Sequence, residues 1–209
     1  MKIREFTLTT IFLSIILLCA LTPLGFIHLG VIKATIIHIP IIIASIILGP
    51  KIGAALGFVF GITSIITNTI APTLLSFAFS PAIPVLGTNQ GSFWALVIAI
   101  VPRVIIGFIP YYIFIAAQKV MSKKKSNQKQ ALFLTGLFST FIHTFLVMGA
   151  ISLLFHDAYA QAINANSTGA IIMAVLTVFV TNGLAEAALA AFLTAIVAPP
   201  LIKQAKKNN

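Results

Sequence analysis

Arg103 and Glu186 stand inside long apolar runs of this sequence. An ionisable group in such a run is costly, and it is a functional-site signal when the run crosses a membrane. By helical rise Arg103 lies about 18 Å from the outer end of its helix, near the middle of a hydrocarbon core about 30 Å thick. His143 and Asn182 fall at a similar depth on two other runs. Arg, His and Asn at one level would line a polar pocket, closed toward the cytoplasm and open outward. Lys33 and His38, near the outer end of a further run, either line the same pocket or snorkel to the headgroups. Asn68 is the remaining candidate for substrate contact, although loop polarity explains it as cheaply. More ordinary roles stand beside these. Arg103 and Glu186 can neutralise each other inside the bundle, His143 can make an interhelical hydrogen bond, and Asn182-Gly183 can be a helix kink.

The elements that hold these residues are read from composition. Of 209 residues, 59% are hydrophobic and 8% charged, with a mean hydropathy of +1.11. A soluble domain of this size cannot hide that much apolar surface. The chain therefore reads as an all-α, polytopic membrane protein with a single six-helix domain. The spans run from Phe6 to Leu21, Ile32 to Leu48, Ile52 to Ile70, Phe93 to Val120, Ala131 to Phe155 and Gly169 to Val197, the last stopped by Pro199-Pro200. Gly49-Pro50 marks a tight turn between spans two and three. Gly53, Gly57 and Gly61 then form a stripe where a neighbouring helix can approach closely. Thr22 to Val31 reads as an interrupted loop. Ala71 to Gln90, polar and rich in proline, is long enough to be a lid or binding loop.

Thirteen Lys and Arg face only three acids, a formal charge of +10. In a soluble protein this would suggest nucleic acid, but eleven of the cations lie in four regions that share one side if there are six spans. Those regions are the amino terminus, the Lys51 turn, the Lys119 to Lys129 loop and the carboxyl tail. The positive-inside rule then places both termini in the cytoplasm.

Several chemistries are excluded. Cys19 is the sole cysteine, and no Cys/His spacing resembles a metal site. There is no phosphate-binding loop for ATP, no G-x-S-x-G, no H-E-x-x-H and no cluster of carboxylates. Six spans with one polar pocket and no energy source describe a non-catalytic binding subunit, without cofactor, that borrows its motor. A proton-coupled carrier using Glu186 or His143 is the rival reading. Thr10 and Ser14, four apart on the first span, offer a small-residue face for a partner helix or for packing within the bundle.

Gly49-Pro50-Lys51-Ile52-Gly53-Ala54 with Gly57 and Gly61, Pro102-Arg103 with Gly107, and Asn182-Gly183 with Glu186 together resemble the S components of energy-coupling factor (ECF) transporters. The resemblance covers essentially the whole chain. It implies a bacterial cell-membrane protein that captures a vitamin from outside and delivers it by joining a transmembrane T component and two ATPases. Thr22-Pro23-Leu24-Gly25 with Lys33-Ala34-Thr35, then Pro72-Thr73-Leu74 with Phe79-Ser80-Pro81, look most like the pantothenate branch. Pantothenate carries a carboxylate, hydroxyls and an amide, which suits one Arg with His and Asn; the resemblance leaves other vitamins open. Such proteins usually show an Ala-x-x-x-Ala stripe on the first helix to dock the T component. Here the nearest match is Thr10 and Ser14.

Overall fold

The computed structural model describes residues 3–29, 32–121 and 125–207, with side chains described for residues 3–25, 35–121 and 127–204. Helices dominate. They are α1 (Ile3–Leu21), α2 (His38–Leu48), α3 (Pro50–Ile70), α4 (Trp94–Val120), α5 (Lys125–Leu154), α6 (His156–Ala162), α7 (Thr168–Val178) and α8 (Leu184–Lys207). Among the described residues, five helices are long and apolar enough to cross a membrane; α7 and α8 count as one of them, continuous over Thr168–Gln204.

The second span departs from its expected bounds. Ile32–Thr35 is strand β2, paired antiparallel with strand β1 (Phe26–Leu29), and the helix begins only at His38. At 11 residues α2 is about 16 Å long, too short by itself for a hydrocarbon core. Its apolarity has another cause. Residues 38, 39 and 41–46 are all buried, so α2 is wrapped by the other helices. A helix that is apolar all round is covered on every side, by lipid or by protein, and here the cover is protein. The expected loop at Thr22–Val31 is likewise the turn Pro23–Gly25 followed by that hairpin.

Gly49 joins α2 to α3 with φ +91°, a region closed to most side chains, and its N–H bonds to the carbonyl of Ser45. Pro50 then occupies the first turn of α3, where a missing N–H costs nothing. The glycine stripe of α3 meets the backbone of α4. A Cβ on Gly57 would overlap the carbonyl oxygen of Arg103, and one on Gly53 would overlap that of Gly107; at Gly61 it would come to 2.9 Å from the oxygen of Ala99. On the opposite side of the bundle α5 meets α8, where a Cβ on Gly136 would lie 2.5 Å from the oxygen of Ala190. The expected stop at Pro199-Pro200 does not occur. α8 runs through both prolines to Lys207, and buried Ala198 and Ile202 on either side offset the donors lost to the carbonyls of Ala195 and Ile196.

The segment Ala71–Gln90 folds down onto the bundle. Phe77 and Ala78, in the turn Ser76–Ala78, enter a core with Ala95, Ile98, Met148, Ile151 and Phe155. Phe77 meets Phe155 edge to face at 5.5 Å. The cap is therefore anchored by an aromatic plug.

The α3–α4 contact predicts that Gly57→Val forces these helices apart and destabilises the protein by about 1–3 kcal/mol, the usual cost of overpacking. Gly149→Ala, where a new Cβ meets nothing within 4 Å, should leave the thermal midpoint in detergent unchanged or slightly raised.

Candidate functional site

Arg103 is 7% exposed and has no acidic partner among the described residues. Pro102-Arg103 lies where α4 crosses Gly57, so the guanidinium projects beside the face of α3 that carries Phe60. Phe79 from the cap lies over it at 4.9 Å and Phe60 at 5.7 Å, measured to the ring centroids. Two ring faces offset part of the desolvation of a buried cation. Nη1 donates to the carbonyl of Ile98 at 2.7 Å. Nε is buried and has no partner. A buried charged donor left open in this way is costly unless something else accepts from it.

Arg103 lines a cavity of about 480 Å³ at the end of the bundle away from Lys51, a size within the range of small-molecule sites. α3 contributes Phe60, Thr63, Ser64, Thr67 and Asn68 to the lining; Thr35 of β2, Thr73 and Phe79 of the cap, and Ala20, Ile37 and Ala71 supply the rest. The α3 wall has a chemical sense. Thr63 donates its hydroxyl proton to the carbonyl of Phe60, and Thr67 donates to that of Thr63. What these hydroxyls still offer is lone pairs. One end of the cavity thus holds a cation, and one side holds acceptors for hydroxyl or amide N–H groups.

Asn68 ties the cap to this wall. Its Nδ2 donates to the carbonyl of Ser64 at 2.8 Å and its Oδ1 accepts from Ser76 Oγ at 2.7 Å, while Thr69 and Ser80 share a hydroxyl bond at 2.6 Å. Asn68 is thus both a lining residue and the latch of the cap.

The other sequence candidates are placed differently. His143 is not among the residues lining the cavity; it donates from Nδ1 to the carbonyl of Pro102 at 3.2 Å and stacks on His38 with centroids 6.0 Å apart. His38 is buried and bonds through Nε2 to Thr140, whose only proton already goes to the carbonyl of Gly136, so the imidazole is the donor. Asn182 sits in a π-turn, Phe179–Gly183, between α7 and α8 and is not among the residues lining the cavity. The side chain of Lys33 lies outside the described residues. Glu186 does not pair with Arg103; it accepts the backbone N–H of Thr35 at 2.7 Å, tying the hairpin to α8. The sequence placed the pocket in spans four to six, under the loops Thr22–Val31 and Ala71–Gln90; the cavity that Arg103 lines is formed by α3, α4, the cap, Thr35 and Ile37 beside α2, and Ala20 of α1. Thr63 and Thr67, with Ser64 and Asn68, were legible as i, i+4 polar pairs on an otherwise apolar helix. Phe79 carried no such signal. Thr10 and Ser14 share an exposed face of α1.

Residues 4–198 match the family described as the substrate-specific component of the ECF transporter. The pantothenic acid transporter PanT of Lactococcus lactis subsp. cremoris (strain MG1363) is 38% identical over 178 residues, covering 85% of this chain and 81% of that protein.

The latch predicts that Asn68→Ala loosens the cap without unfolding the bundle. Amide exchange across residues 71–80 should accelerate several-fold, as loss of a hydrogen bond worth about 1 kcal/mol implies, while exchange in α4 and α5 stays as slow as before.

Proposed function

This chain belongs to the family of ECF transporter substrate-specific components, and we propose that it is the pantothenate-binding subunit of such an importer. The observation that carries this reading is Arg103, a buried guanidinium whose Nε has no partner, lining a cavity in which the hydroxyls of α3 offer oxygen acceptors. Pantothenate matches that polarity. Its carboxylate would sit on Arg103 between Phe60 and Phe79, and its amide N–H and hydroxyls would face Thr63, Ser64 and Thr67. The name of the Lactococcus relative points to the same vitamin. His143 and His38 would act behind Arg103, bracing Pro102, and Asn68 would hold the cap over the ligand. Asn182 and Lys33 would contribute from the hairpin and α7–α8 side when the cap and hairpin close over substrate.

Delivery would follow from association with a transmembrane T component and two ATPases, which supply the hydrolysis for which this sequence has no phosphate-binding loop. With α2 and the hairpin together counted as one pass, the chain crosses six times and both termini lie in the cytoplasm, beside the Lys51 turn. The exposed Thr10 and Ser14 would form the face that meets the T component.

Calorimetric titration of the purified wild-type chain with pantothenate, without ATP, should give tight one-to-one binding. Arg103→Ala should abolish it, and Arg103→Lys, which offers a point charge instead of a fork, should weaken it by roughly 10- to 100-fold. Unaltered affinity in both variants would sink the assignment. Thr10→Trp combined with Ser14→Trp should prevent copurification with the T component while leaving the vitamin titration intact.

A further inference from the structure

Pro102 removes one hydrogen bond from α4, and the place where it does so is occupied by the guanidinium next door. In an α-helix the carbonyl of residue 98 accepts the N–H of residue 102. Proline has no N–H, so the carbonyl of Ile98 is left open. Arg103 Nη1 fills that vacancy at 2.7 Å, in a buried setting. Helical side chains lean toward the amino terminus, so an arginine one residue past the proline reaches back in its natural direction.

The choice of nitrogen matters. Nη1 lies on the Cδ side of the guanidinium. The opposite edge carries Nε–H and one N–H of Nη2, two parallel donors spaced to match the two oxygens of a carboxylate. Nε is the buried donor with no partner. Tying Nη1 to Ile98 therefore restrains the rotation of the group and leaves Nε–H, on the carboxylate-matching edge, without a partner. Were residue 102 to carry an N–H, that donor would compete for the carbonyl of Ile98, and the guanidinium would lose its tether. Pro110, two turns further on, frees the carbonyl of Ile106 in the same way, but no arginine follows it.

We propose that Pro102 is a positioning residue for the ligand's anionic group: it exposes the Ile98 carbonyl so that Arg103 is clamped with its Nε/Nη2 edge presented for bidentate contact. The proposal rests on the reading of Arg103 as the carboxylate-binding group. His143 supports the arrangement from behind through its bond to the carbonyl of Pro102.

The chain has only two arginines, Arg4 and Arg103, so the guanidinium nitrogens of the detergent-solubilised, full-length protein labelled with 15N-arginine can be assigned with one variant. In the wild type, Arg103 should show separate Nη signals from hindered rotation. In Pro102→Ala they should merge into one averaged signal, and the Kd for pantothenate should rise about tenfold, while thermal stability holds or increases because a helix-interior proline has been removed. Pro110→Ala, which removes the other proline inside α4, should leave both the split signals and the affinity as they are. An averaged Arg103 signal in the wild type overturns the clamp without recourse to any variant, as does a split signal or unaltered affinity in Pro102→Ala. An equal loss of affinity in Pro110→Ala also overturns it, assigning the effect to helix shape. If the wild type fails to bind pantothenate, the substrate assignment falls, and the nitrogen spectra still decide the clamp.

Discussion

Backbone-to-backbone contact between α3 and α4 is the constraint from which the site follows. Gly53 and Gly57 bring α3 against the carbonyl oxygens of Gly107 and Arg103, a distance no side chain would permit. Without that approach Phe60 would not reach the guanidinium, and the polar face of α3 would not line the same cavity. In lipid there is little hydrophobic drive to hold two helices together, so close packing of small residues supplies the adhesion. The same residues that make the bundle cohere thus set the width of the pocket.

Onto this frame the protein places a cation at a cost that is only partly offset. Two phenyl faces, one backbone carbonyl and no acid surround Arg103 among the described residues. An isolated buried charge in a low-dielectric setting is normally paired. The pairing with Glu186 that the sequence allows does not form, because Glu186 is engaged with the backbone of Thr35. A buried guanidinium with an unpartnered Nε can accept an anion.

The cap and the hairpin are held by contacts of unequal kind. Phe77 plugs the cap into a hydrophobic core beside α4 and α5, whereas its edge over the cavity depends on a few hydrogen bonds among Asn68, Ser76, Thr69 and Ser80. Polar latches are individually modest in strength. A segment anchored at one point and latched at another can open at its latched edge without leaving the bundle, which is the behaviour required where a polar ligand must enter from water and then be enclosed.

Composition and pattern were enough to determine that this is a polytopic helical membrane protein, where the glycine stripe lies, and that Arg103 is the group whose presence demands an explanation. Each follows from local chemistry: hydropathy, small-residue spacing and the cost of a charge at depth. Position along a helix was countable too, at about 1.5 Å per residue. Which way each side chain faces was not, because rotation about a helix axis is set by the neighbouring helices. Tertiary packing turned His143 toward His38 and Pro102, gave Glu186 to the hairpin, and brought Thr63, Ser64 and Thr67 into one cavity with the arginine. It also decided that α2 is a short central helix, since an apolar sequence reads the same whether protein or lipid covers it.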